Sequence, residues 1–120
     1  MGERKTIVYI SSSVPHSIAD FYNTIDNLNK ISLHTQYISR SKRFFMTEAA
    51  IVYFRAAGQS LSGLFCDEMF GEPSAFDLYR LKNHDKPRYS GTLVEYIQKV
   101  EDAAIADRFL REELLRTRGA

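Results

Sequence analysis

The chain has 120 residues, of which 44% are hydrophobic and 26% are charged, a composition typical of a single folded domain covering residues 1–120. Its 16 basic and 15 acidic side chains give a net charge of +1, which argues against a general nucleic-acid binder because such proteins carry excess positive charge. The single cysteine, Cys66, excludes an internal disulfide, and no apolar run approaches the ~20 residues that span a membrane. We therefore expect a cytoplasmic protein with no membrane partner.

The N-terminal part predicts the opening of a βαβ unit. The apolar run at residues 5–10 is rich in β-branched and aromatic residues and predicts a first, central strand. A serine-rich turn follows, and then a helix that Ser13 or Ser17 caps, with Pro15 in its first turn and its end near Lys30. Free backbone N–H groups in such a turn can bind an anion. The segment lacks the glycine and lysine of phosphate-binding motifs, so a plain polar connector is the alternative.

Residues 35–39 predict a short second strand, and three cations follow it in the segment SRSKR. Arg40, Lys42 and Arg43 beside serines form a possible phosphate contact, and a solvated turn is the alternative reading. The next residues, 42–47, fit either a strand or a loop.

The run at residues 49–54 predicts a buried strand that ends at Arg55 and opens into a polar, glycine-bearing loop. Ligands of α/β proteins bind at such strand ends. The Arg55 guanidinium, with Gln59 and Ser60, forms a candidate contact for a phosphate or carboxylate. A strand-ending arginine in a surface loop is the equally weighted alternative.

Residues 73–91 contain two prolines and several turn residues, and predict a long loop. The loop carries Phe76, Arg80 and Asn83, a combination of ring, cation and amide that can stack a base and hold its phosphate. The alternative is that Phe76 and Leu78 pin the loop to the core. These three residues join Arg55, Gln59 and Ser60 as the predicted ligand-binding set.

The C-terminal part predicts one long helix. Thr92 and Glu95 form a capping box, and the helix is expected to run to about Arg116. At roughly 37 Å it would extend beyond a domain of this size, unless it breaks near Ala103 or Ala106. The apolar residues that would then need cover by a second copy are Phe109, Leu110 and Leu114. We therefore expect a homo-oligomer assembled through this helix.

Together these elements predict an α/β fold. It would have a small Rossmann-like or P-loop-like sheet of three to four strands, an N-terminal helix and a long C-terminal helix.

The segment IVYFRAAGQSLSGLFCDEMFGE, residues 51–72, resembles the Walker B region of the large terminase subunits, the packaging ATPases of phages. It is also similar to small phage α/β proteins that share its strand–loop pattern. In those families an Arg-Gly pair precedes an acidic strand end; here Gly63 is present, but Ser62 occupies the arginine position. None of the lysines has the glycine context of a Walker A motif, so the resemblance implies a related fold that has lost nucleotide hydrolysis.

The function that these residues favour is non-enzymatic binding of a nucleotide-derived small molecule. In its most specific form, a phage-encoded protein would sequester a host immune signal in the host cytoplasm, as anti-defence signal sponges do. No catalytic residue, metal ligand or cofactor is predicted in this reading. The first alternative is a protein-interaction module that uses the C-terminal helix. A less favoured alternative is a metal-dependent enzyme that uses Asp67, Glu68 and Glu72.

Overall fold

A computed structural model of the chain describes residues 4–59, 66–72 and 93–118. The strands are β1 (Lys5–Ser11), β2 (Tyr37–Ser39), β3 (Phe44–Met46), β4 (Ala50–Ala56) and β5 (Glu68–Gly71), and the helices are α1 (Val14–Lys30) and α2 (Leu93–Arg118). The predicted ligand contacts Ser60, Phe76, Arg80 and Asn83 lie outside the described residues, as does the predicted capping residue Thr92.

The strands form one mixed sheet in the order β2-β3-β4-β1-β5. β1 pairs in parallel with β4 on one side and with β5 on the other, whereas β3 pairs antiparallel with both β4 and β2. The predicted α/β class, the two helices and the internal position of the first strand are confirmed. The sheet has five strands, one more than the upper end of the predicted range, because the short β3 and β5 also join it.

Most of the hydrophobic core lies on one face of the sheet, while Val8 and Ile10 of β1 are buried on the other face. Alternate residues of a strand share a face, and Phe54 of β4 lies on the same side as Phe45 of β3 and Phe21 of α1, all three fully buried. The Phe54 ring centroid is 5.5 Å from that of Phe21 and 5.9 Å from that of Phe45. Leu93 and Ile97 of α2 belong to the same core cluster. Both helices therefore pack on this face.

The ends of α1 follow from local side-chain chemistry. Ser13 is the N-cap, and its hydroxyl accepts a hydrogen bond from the His16 N–H at 3.3 Å, so one of the two predicted capping serines is confirmed. Ser17, the other, is instead fully buried on the helix. At the far end Ser32 has a φ of 59°, and this left-handed residue stops the helix.

The long helix α2 contacts the domain only with its first half. Leu93 and Ile97 are buried, and the Glu101 carboxylate accepts a hydrogen bond from the Ala49 N–H at 2.9 Å. From Ile105 to Thr117 every side chain is exposed. The helix is continuous through Ala103 and Ala106, so the break considered as an alternative does not occur.

In the described segments, neither helix combines the length and the apolar content that crossing a membrane requires.

Candidate functional site

The carboxyl ends of β1 and β4 lie side by side. Ser11 is paired with Ala56, the last residues of the two strands, and the Ala57 N–H donates a hydrogen bond to the Ser11 carbonyl at 2.8 Å. Gly58 then turns the chain with a φ of 89°, a conformation that other residues rarely adopt. Binding sites of α/β proteins form at this edge of the sheet.

A pocket of about 480 Å³ opens beside the end of β4, within the range of small-molecule sites. Three of its described lining residues are cationic and none is acidic. We call it the basic–aromatic pocket, and its lining among the described residues consists of Ser41, Lys42, Arg43, Phe44, Tyr53, Arg55 and Gln59. Its charge favours an anionic ligand.

Two aromatic rings form one wall of the pocket. Phe44 of β3 is the register partner of Tyr53 of β4, and their ring centroids are 5.3 Å apart with the planes tilted by 37°. The Arg55 guanidinium carbon lies 5.5 Å from the centroid of the Tyr53 ring, a cation–π distance. The wall thus offers ring faces next to a fixed positive charge.

Arg55 is held in place by backbone groups. Its Nη1 donates hydrogen bonds to the carbonyl oxygens of Lys42 and Phe54, both at 3.1 Å. The first of these bonds ties Arg55 to the turn between β2 and β3, where the Lys42 side chain is exposed. The two cations therefore belong to the same rim of the pocket.

Arg43 connects the pocket to α1 rather than pointing freely at a ligand. Its Nε donates to the Ser17 hydroxyl at 3.2 Å, and its Nη2 donates to the Gln59 side-chain oxygen at 2.6 Å. The same oxygen accepts from the Ala56 N–H at 2.8 Å. Arg43 has a φ of 52°, which costs a non-glycine residue roughly 1–2 kcal/mol. These bonds stabilise that strained turn.

A second polar cluster, which sequence reasoning missed, lies at the carboxyl ends of β1 and β5. The Ser11 hydroxyl donates to Asp20 Oδ2 at 2.6 Å, and the Glu72 carboxylate lies close enough to Asp20 for its charge to act on it. Burial raises the pKa of Asp20, and the charge of Glu72 raises it further, while the Ser11 hydrogen bond and His16 act in the opposite direction. Asp20 therefore holds its proton more tightly than a solvent-exposed aspartate does.

Tyr9 is the aromatic member of this cluster. Burial, followed by the charges of Asp20 and Glu72, raises the pKa of Tyr9 to about 12. Its hydroxyl therefore stays protonated at neutral pH and can donate a hydrogen bond.

The serine-rich turn considered as an anion site already has a carboxylate of the protein beside it. The Ser12 N–H donates to Glu72 Oε2 at 3.1 Å. The hydroxyl groups of Ser12 and Ser13 lie 3.0 and 2.8 Å from Nδ1 of His16. The Ser12 N–H and the two hydroxyl groups thus have partners within the protein.

The three acids of the enzyme alternative are not assembled into one site. Asp67 precedes β5, and its Oδ2 accepts a hydrogen bond from the Thr6 N–H at 2.8 Å, whereas Glu72 follows β5 at its other end. Five residue steps along an extended strand separate Asp67 from Glu72 by roughly 16 Å. Among the described residues, no group of three potential metal ligands is present.

Of the predicted ligand-binding residues, Arg55 and Gln59 are brought together in the basic–aromatic pocket. The ring wall of Phe44 and Tyr53 was not predicted. The signal that could have found it is the alternation of the two strands, but it needs their antiparallel register, which the sequence does not specify. From the sequence, Glu72 was grouped with Asp67 and Glu68 instead, because only the pairing of β5 with β1 brings Glu72 to Ser12.

Comparison of the chain with models of protein families, with curated proteins and with solved structures finds no match.

Proposed function

We propose that this chain binds a nucleotide-like small molecule in the basic–aromatic pocket and releases it unchanged. The observation that carries the proposal is the joint presence of ring faces and cations in one pocket, namely Phe44 and Tyr53 beside Lys42 and Arg55. A nucleotide has the same two parts, since its base stacks on aromatic rings and its phosphate binds cations.

Each part of the pocket has a separate task in this proposal. Lys42 supplies a mobile point charge, whereas Arg55 presents a planar guanidinium fixed by backbone carbonyls. The base lies against Phe44 and Tyr53. The described lining contains no carboxylate, histidine or thiol that would serve as a general base at neutral pH, which favours binding over turnover.

Sequestration of a host immune signal by a phage protein is the most specific form of this proposal. It is supported by the sequence resemblance alone, and the pocket itself supports only the coarser class of ligand, an aromatic group that carries phosphate.

The test is a thermal-shift panel of mononucleotides, linear and cyclic dinucleotides and ADP-ribose derivatives, followed by calorimetry. A ligand at 100 times its Kd should stabilise the fold by about 2.7 kcal/mol, a shift of several degrees.

Lys42→Ala and Arg55→Ala should each weaken binding by about 10- to 100-fold, since charge-assisted hydrogen bonds are lost. Arg55→Lys should recover only part of the affinity, because the planar donor group is absent.

The matched control is Lys99→Ala, which removes a positive charge from another exposed position, on α2, outside the pocket lining. It should bind as the wild type does. A flat panel, or equal losses in Lys42→Ala and Lys99→Ala, would contradict the proposal. Chromatography of the recovered ligand tests the second half of the claim, since a cleaved ligand would show an enzyme.

A second candidate function, assembly through α2, is favoured by a separate observation. Leu110 and Leu114 are 65% and 61% exposed, and Ile105, Phe109 and Leu115 are exposed beside them. Arg111 pairs with Asp107 and Arg116 with Glu113 on the same helix end, so these four charges are balanced within the helix. A second copy of the chain would cover the apolar side chains without bringing together uncompensated charge.

A further inference from the structure

We infer that the ligand carries two bases, and that the second base stacks on Tyr37, outside the basic–aromatic pocket. The inference rests on the proposed function and specifies its ligand class as a dinucleotide.

The geometry that carries the inference is a line of three rings across three strands. In the antiparallel register Phe44 faces Tyr53, and Ser39 faces Phe44, so that Tyr37, two residues before Ser39, lies on the same face of the sheet. The Tyr37 and Phe44 ring centroids are 5.7 Å apart and tilted by 34°, and the next step to Tyr53 is 5.3 Å with a tilt of 37°. We call Tyr37, Phe44 and Tyr53 the aromatic row.

The row lies on the sheet face opposite the helices. Phe45 and Val52, which alternate with members of the row, point into the core with α1 and α2. Within the described segments no helix packs on the other face at the row, and Tyr37 is 55% exposed. Sheets that present rings on neighbouring strands stack two or three bases in this way.

Positive charge distinguishes the two ends of the aromatic row. Arg55 lies over Tyr53 at one end, and Lys42 is on the turn next to Phe44, whereas Tyr37 at the other end lies outside the cationic lining. A ligand with its phosphate at the cations therefore has one base on Phe44 and Tyr53 and a second on Tyr37. A long single strand would need cations along its whole path, and a tetranucleotide tests for such a ligand.

Cross-strand packing alone could also account for the contact between Tyr37 and Phe44, and the experiment separates the two roles. Binding of adenosine monophosphate and of a linear diadenosine dinucleotide is measured by calorimetry on the wild type and on Tyr37→Ala, Tyr37→Ile and Tyr37→Phe. Tyr37→Ile keeps a β-branched residue in the strand without a ring. Tyr22→Ala, at an exposed tyrosine of α1, is the control.

Tyr37→Ala and Tyr37→Ile should weaken dinucleotide binding between about fivefold and about 100-fold, because one stacked base is lost. Binding of the mononucleotide should change less than about twofold, since its base does not reach Tyr37. Tyr37→Phe and Tyr22→Ala should leave the affinity for both ligands unchanged.

Equal affinity of the two ligands for the wild type, or equal losses for both in Tyr37→Ala, would overturn the inference and leave the proposed function standing. A tetranucleotide that binds far more tightly than the dinucleotide would overturn it in favour of a longer strand. If neither mononucleotide nor dinucleotide binds, the proposed function fails first.

Discussion

Asp20 and Glu72 place two carboxyl groups against each other at the ends of β1 and β5, 52 positions apart in the sequence. The pair costs the fold electrostatic energy when both groups are ionised. Ser11 and the Ser12 N–H, which donate to one carboxyl each, reduce that cost. The pair therefore links folding to pH at a point between α1 and the sheet.

The sign of that linkage follows from the raised pKa of Asp20. The folded chain holds the Asp20 proton more tightly than the unfolded chain, so the resulting stability is fully present below the ordinary pKa of 3.8 and is lost as the pH rises through the folded-state value. Glu72→Gln removes the neighbouring charge. The free energy of unfolding of this variant, relative to the wild type, should increase from about pH 4 to about pH 7.

Urea unfolding at several pH values measures this difference. Glu112→Gln, which removes an equivalent charge from an exposed position on α2, should run parallel to the wild type. A constant difference between Glu72→Gln and the wild type across the pH range would show that the pair is not coupled.

At the scale of elements, the two halves of α2 lie in different environments. Its first half is part of the core through Leu93 and Ile97, while every side chain from Ile105 to Thr117 is exposed. The ion pair between Arg108 and Glu48 joins the exposed half to the domain, but both side chains are about half exposed, and such pairs contribute about 0–1 kcal/mol. The two halves should therefore differ sharply in their sensitivity to substitution.

Ile97→Ala should lower the free energy of unfolding by about 2–5 kcal/mol, because it leaves a cavity in a fully buried position. Leu114→Ala removes a side chain of the same size from an exposed position. It should change the free energy of unfolding by less than about 0.5 kcal/mol. Urea denaturation of dilute protein compares the two. A large loss in Leu114→Ala would mean that the end of α2 is packed in solution.

The sequence predicted the elements that are long enough for periodicity to show. α1, α2, β1 and β4 have 17, 26, 7 and 7 residues, and all four were expected. β2 was placed approximately from its apolar residues. β3 and β5 have three and four residues, too few for an alternation to be distinguished from a loop. These two strands form because they pair with β4 and β1, and this pairing depends on the tertiary fold.

At the scale of the whole molecule, the site residues that depend only on local sequence could be predicted, whereas contacts that depend on strand pairing could not. Arg55 and Gln59 follow from the rule that ligands bind at strand ends, which needs only a strand and its next loop. The contact between Phe44 and Tyr53 depends on strand register, and that between Ser12 and Glu72 on the crossing of the chain to the far side of β1. Long-range pairing of this kind leaves no local signal.

Assembly is the whole-molecule property that the exposed end of α2 predicts. If two copies cover it, the wild type should have a native mass above the chain's 13.8 kDa, and Leu110→Asp combined with Leu114→Asp should return it to that value. Light scattering during size-exclusion chromatography measures both. Gln98→Asp introduces an acid at an exposed position in the first half of α2 and is the control; an unchanged mass in the double variant would exclude this interface.

The order of the strands has a consequence for aggregation. In the part of the chain that the structure describes, the outer strands of the sheet are β2 and β5, with three and four residues, fewer than the six or seven of a typical amyloid core segment. The segments with amyloid-like composition, KTIVYIS and AIVYFRA, are the inner strands β1 and β4, paired on both sides. A foreign strand therefore finds only short edges to extend, and fibril growth from these segments requires the sheet to open first.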